Sequence, residues 1–74
     1  MKWNYRVIES EGVFHIHEVY YNKKNEITAI SENPIAPMGE TLEELKGDLK
    51  YYQQALKRPV LKKEEIVFKP MDEE

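Results

Sequence analysis

The chain has 74 residues, no cysteine and a formal net charge of −3, with hydrophobic residues at 41% and charged residues at 34%. Area scaling lets a protein of 8.8 kDa hide only about 63% of the surface its extended chain exposes, enough for one domain with a thin core and too little for a separate substrate domain. The missing cysteines exclude disulfides, thiolate metal sites and thiol nucleophiles. No stretch approaches the ~20 apolar residues of a membrane helix and no signal-peptide pattern follows Met1, so a cytoplasmic protein that makes no membrane contact is expected.

From Trp3 to Glu9 the residues alternate, with Trp3, Tyr5 and Val7 on one side and Asn4, Arg6 and Ile8 on the other, which predicts a first strand. Ser10-Glu11-Gly12 is a tight turn in which Gly12 supplies a positive φ. Val13 to Tyr21 is rich in β-branched and aromatic residues and predicts a second strand, with Phe14, Ile16, Glu18 and Tyr20 on one face and Val13, His15, His17, Val19 and Tyr21 on the other. A bulge or an edge position near Glu18 would let its charge escape the core. Asn22 to Glu26 reads as a polar turn and Ile27 to Glu32 as a third strand, completing an antiparallel meander.

Pro34 and Pro37 lack the ladder donor, so Asn33 to Gly39 is a crossing loop. Thr41-Leu-Glu-Glu44 fits a capping box, and the helix it opens runs to about Lys57, stopped by Pro59. Leu42, Leu45, Leu49, Tyr52 and Leu56 recur at helical spacing as an apolar stripe expected to face the sheet, which makes Leu45 and Leu49 core residues. Pro59 to Leu61 is a further apolar contact, and Glu65 to Lys69 predicts a fourth strand. The expected fold is α+β, a three- to four-stranded antiparallel sheet on one main helix in the order β-β-β-α-β. One domain spans residues 1–69, and residues 70–74 form a solvated acidic tail.

This order of elements, with Tyr5-Arg6-Val7-Ile8-Glu9 in the first strand and Gly39-Glu40-Thr41-Leu42-Glu43-Glu44-Leu45 opening the helix, resembles the HicB-like antitoxin domain. The resemblance spans about residues 5–57. It implies a partial ribonuclease-H-like fold and a tendency to bind partner proteins. Asn22 to Glu26 stands where that family commonly has a Pro-Gly-Cys-type turn, and no DNA-binding module follows before Glu74, so operator binding is not carried over.

The side-chain inventory for catalysis is short. Ser10, Thr28, Ser31 and Thr41 are the hydroxyl nucleophiles; Ser10 belongs to a turn and Thr41 to the cap, and no spacing assembles Ser31 with a histidine and Asp48 or Asp72. Glu9, Glu18 and Glu32 lie on strands, where a metal-dependent nuclease would need its carboxylates to converge, but edge glutamates facing solvent are the simpler reading. Gly12, Gly39 and Gly47 are too far apart for a phosphate loop. No catalytic site, metal or cofactor is expected, and the chain is not read as an enzyme.

His15 and His17 point the same way on one strand and could share a metal if Glu9 or Glu32 supplied a third ligand. Simple alternation, which exposes both whenever Phe14 and Ile16 face the core, accounts for them without a metal. The basic residues occur in separated pairs, Lys23-Lys24, Lys57-Arg58 and Lys62-Lys63, among acids, which argues against nucleic acid as a partner.

The expected role is a small non-catalytic interaction module, self-associating or binding a protein partner; the alternative is a nucleic-acid module using an open sheet face. One helix covers one sheet face, so the other, carrying Val13, His15, His17, Val19 and Tyr21, is expected to form a homodimer interface. The back of the helix around Gly47 and Tyr51 is the second candidate partner surface.

Overall fold

The computed structural model describes residues 2–72. β1 (Lys2–Ser10) and β2 (Val13–Tyr21) form a long antiparallel hairpin in which Ser10 pairs with Val13. The two residues between them, Glu11 and Gly12, have φ of 52° and 80°, the paired positive values of the turn whose twist matches that of its flanking strands. Glu9 closes the turn by accepting the Gly12 N–H at 2.7 Å.

β3 (Ile27–Ile30) pairs antiparallel with β2, with a register shift at Tyr20/Tyr21. It ends two residues before the predicted boundary at Glu32, although Ser31 N and Ile35 N still donate to the Glu18 and Ile16 carbonyls. The polar turn before it is organised by one residue. The Asn22 side-chain oxygen accepts from Lys24 N and Glu26 N at 2.9 and 3.0 Å, and its amide donates to Glu26 Oε1 at 2.9 Å. Asn22 is the one buried polar residue among those described.

Helix α1 (Leu42–Leu56) begins where the capping signature places it. Glu44 N donates to Thr41 Oγ1 at 3.1 Å, and the Glu44 carboxylate reaches back to Glu40 N at 3.0 Å, one residue earlier than in the standard box. Gly39 fits against this first turn so tightly that a Cβ would stand 2.4 Å from Leu45 N, so only glycine lets the crossing loop approach.

The helix lies over β1 and leaves β2 largely uncovered. Its rotation differs from expectation. Ala55 is buried and Leu45, Asp48 and Tyr52 are half-buried, whereas Leu42, Leu49 and Leu56 are 66%, 42% and 69% exposed. At ~100° per residue the packed face is offset by roughly 60°, a sixth of a turn, from the centre of the leucine stripe. The cause is the aromatic surface of β1: Tyr5 packs edge-on against Tyr52 and Tyr51 at 5.0 and 6.0 Å, Trp3 meets Tyr51 at 6.4 Å, and Tyr5 Oη donates to Asp48 at 3.0 Å. Asp48 also accepts Met38 N at 3.0 Å. These contacts hold the Asp48–Tyr52 side of the helix down and turn the leucines outward.

The end of the chain departs furthest from expectation. Glu65 to Lys69 is not a strand. β4 is the two-residue segment Leu61–Lys62, which pairs parallel with β1 through Ile8 and Glu9, so the sheet is mixed with the order β3-β2-β1-β4. A single 3₁₀ turn (Lys63–Glu65) follows. Lys69 N then donates to Ile27 O at 2.8 Å, Asn22 Nδ2 to Pro70 O at 3.2 Å, and Lys23 N to the Asp72 carboxylate at 2.9 and 3.0 Å. The chain thus passes from the β1 edge of the sheet to β3, and because the helix holds the other face, it crosses the face opposite the helix. Val19 is 0% and Ile8 2% exposed there, and Val60, Leu61, Ile66 and Val67 share a cleft with Ile27. One expectation is corrected: that sheet face is not open. Residues 70–72 are exposed to solvent and tied to the β2–β3 turn. Glu73 and Glu74 lie outside the described residues.

Candidate functional site

Among the described residues, no three or more His, Asp or Glu side chains gather in a way that could hold a metal ion. His15 and His17 stand edge-to-face at 6.5 Å; His15 is exposed, while His17 Nδ1 is within hydrogen-bond distance of Ser31 O and Oγ, at 3.0 and 3.1 Å. Ser31, one of the hydroxyls considered as nucleophiles, therefore contacts a histidine, but its Oγ donates to Asn33 O at 2.9 Å and receives Glu18 N at 3.2 Å, a turn-closing role. Glu9 is used in the hairpin turn. Glu9 and Glu18 sit opposite Phe14 and Tyr5 in the ladder, four strand positions apart or ~13 Å, so they do not converge.

Among the described residues, the perturbed titrations are all of tyrosines on the helix side of the sheet. Burial, then the hydrogen bond and charge of Asp48, push the Tyr5 hydroxyl well above its ordinary range. Burial, then Asp48 and Glu18, raise Tyr52; burial and then Glu18 raise Tyr20, whose Oη donates to Glu18 at 3.3 Å. Glu18 needs no bulge of its own, since the helix sits over β1 and leaves this side of β2 wet. The cluster holds neutral phenols, which suits structure better than proton transfer at neutral pH.

The candidate partner residues scatter. Val13 and His15 are exposed near the hairpin tip. Val19 is sealed in the core and unavailable to a partner. Tyr21 is half-buried, donating to Asn4 at 2.8 Å and accepting from Arg6 at 3.2 Å. Tyr51 is exposed on one side and packs its ring on Trp3 and Tyr5. Gly47 beside it has open space where a Cβ would stand, so no close helix approach is built there within the chain.

The surface that the helix rotation creates is one whose leucine spacing predicts core. Leu42, Leu49 and Leu56 stand in one line at seven-residue spacing, ~21 Å long, on the outer flank of α1. Phe14, 61% exposed, carries apolar surface onto the uncovered part of β2, and Met38 is exposed in the crossing loop. The sequence signal was present, because a strict seven-residue leucine repeat fits a helix–helix seam as well as a core face.

Compared with known proteins, the chain matches no family model, no curated protein and no solved structure.

Proposed function

We propose that the chain is a small non-catalytic interaction module that self-associates through the exposed leucine line of α1. The single observation that carries this reading is the outward position of Leu42, Leu49 and Leu56. Surface area supports it. The chain exposes 5835 Å². A typical folded monomer of this mass exposes about 4,800 Å², so roughly 1,000 Å² is in excess, comparable to the ~800 Å² that each partner buries in a standard interface. The molecule is also a slab, 37 × 35 × 21 Å, flatter than a self-sufficient globule.

A second copy is the occupant best suited to this line. Antiparallel two-fold packing sets Leu49 on its own symmetry mate and Leu42 against Leu56. It brings Glu43, at the acidic start of the helix, towards Lys57 at the end of its mate. An antitoxin-like role in the cytoplasm, which the HicB-like resemblance implies, is a special case of the same reading with a toxin protein as a further partner. Nucleic acid on the sheet face opposite the helix is disfavoured, since the chain's own C-terminal segment crosses it.

Light scattering across a hundredfold concentration range tests the reading. The expected mass is near twice 8.8 kDa. Leu49→Glu or Leu56→Glu should restore the monomer with unchanged circular dichroism, since both side chains are largely outside the core. A chain that stays monomeric at millimolar concentration would remove self-association.

A further inference from the structure

β4 pairs only Ile8 and Glu9, so β1 from Lys2 to Val7 has no strand partner on its outer edge. An open cleft of about 650 Å³ runs from this edge onto the sheet face opposite the helix, towards Tyr21 and Asn25; among the described residues it is lined by three cations, Lys2, Arg6 and Arg58, and by no carboxylate. In a chain of net charge −3 this is a local reversal of sign, and clefts with low-dielectric walls concentrate such a field.

Arg6 is held in place from two sides. Its Nη1 donates to Tyr21 Oη at 3.2 Å and its Nη2 to Pro59 O at 2.8 Å. Its Nε is buried without any hydrogen-bond partner. An unmet guanidinium donor costs free energy unless an acceptor or water reaches it. Both Nη atoms already donate within the chain and Nε is closed to solvent, so Arg6 contributes a fixed positive charge to the cleft wall rather than a free donor fork. Arg58 enters just past the end of α1. The half-charge of the helix C-terminus is negative, but Lys57 and Arg58 together outweigh it. Lys2 is steered by a hydrogen bond from its Nζ to Asn25 Oδ1.

Trp3 adds a second element. It lines the same cleft, is about half exposed, and is backed by Tyr5 at 5.4 Å and Tyr51 at 6.4 Å, so its outer surface is a supported platform. Cations that attract phosphate beside an aromatic ring that can stack a base are the two requirements of nucleotide recognition.

We propose that this cleft binds a nucleotide, with its phosphate on Arg58 and Lys2 beside the fixed charge of Arg6 and its base against Trp3. The site is separate from the leucine line and does not depend on self-association. The shared chemistry is a phosphate beside a planar base, supplied either by a free nucleotide or by a unit of a single strand.

Trp3 is the chain's sole tryptophan, so its fluorescence reports the cleft directly. Titration of the full chain with AMP should give saturable quenching. Adenosine should bind about tenfold more weakly, in line with the worth of charge-assisted phosphate contacts. Arg58→Gln and Lys2→Gln, both outside the core, should each weaken AMP severalfold with unchanged melting; Arg6 is avoided because it also pins Pro59. An oligo-dT strand that binds far more tightly than TMP, with an affinity that falls steeply with salt, assigns the site to a strand, whereas equal affinities assign it to the free nucleotide. Equal binding of AMP and adenosine, an Arg58→Gln variant as good as the parent, or no quenching at millimolar ligand would each overturn the proposal.

Discussion

The two faces of the sheet are covered by unequal means, and the thinner cover makes the drier core. On one side lies a 15-residue helix, yet much of the packing there is half-wet: Tyr5 and Glu18 of the sheet and Asp48 and Tyr52 of the helix are all partly exposed, with Val7 and Ala55 buried among them. On the other side an extended segment with a single 3₁₀ turn crosses the strands, and Ile8 and Val19 beneath it are the largest fully buried side chains. A helix stands about 10 Å from the surface it packs on and must fill that space with long side chains, here tyrosines that keep their hydroxyls near Asp48 and Glu18. An extended chain lies closer and seals small aliphatic residues without polar atoms. Stability therefore resides in the C-terminal crossing more than the size of the elements suggests.

The largest test of this contrast is a pair of truncations. Ile8→Ala should cost about 2–5 kcal/mol, as buried isoleucine truncations do, while Leu49→Ala should cost less than about 1 kcal/mol. Thermal denaturation decides, and equal losses would mean that the helix flank is core after all. Val19→Asp belongs with the first of these. It buries a carboxylate without a partner and should abolish folding rather than dissociate a dimer.

Next in size is the anchor of the crossing segment. Asn22→Ala removes the acceptor for two backbone N–H groups and the donor to Pro70 O, and should cost about 1–3 kcal/mol by urea denaturation. Asn22→Asp keeps the acceptor but sets a second carboxylate against Glu26 where the amide donated, and should cost at least as much as Asn22→Ala at neutral pH. A neutral Asn22→Ala would show that residues 70–72 do not hold the turn.

The helix side should reveal itself at high pH. Tyr5, Tyr20 and Tyr52 all have hydroxyl pKa values raised in the folded state, so the fold favours their neutral forms. That contribution is complete below the ordinary tyrosine value near ~10 and is lost as pH rises above it, because the unfolded chain releases these protons first. Melting temperature should fall from about pH 10 upward, and Tyr5→Phe should flatten the slope. An unchanged slope in Tyr5→Phe would place the alkaline titration elsewhere.

The smallest effect is expected at Gly47. A Cβ there meets nothing within 4 Å, so Gly47→Ala should stabilise the helix by up to about 1 kcal/mol. A loss instead of a gain would mean that something approaches this face in solution, a sensitive check on the helix back as a partner surface.

Local chemistry was legible from the residues alone. The Glu11-Gly12 turn, the alternation of β1 and β2, the Thr41 cap and the stop before Pro59 depend on neighbours within a few positions, and each of these elements forms where the residue pattern puts it. The α+β class follows from their order. The rotation of the helix was not legible, because the leucine stripe is the most apolar face of an isolated helix and nothing local says that Trp3 and Tyr5 will prefer Tyr51, Tyr52 and Asp48. The candidate surface was hidden for the same reason, since the spacing of its leucines also suits a core face.

The crossing of Pro59 to Asp72 was decided by tertiary structure alone. Its residues have no strong period, its strand is two residues long, and its ties at Ile27, Asn22 and Lys23 lie far away in sequence. Amino-acid order determines conformation where the interacting groups are close along the chain, so it determined the hairpin, the cap and the helix. Which face each element shows to its neighbour depends on contacts between distant residues, whose worth appears only once the sheet has brought Ile8 and Val19 together beneath the returning chain.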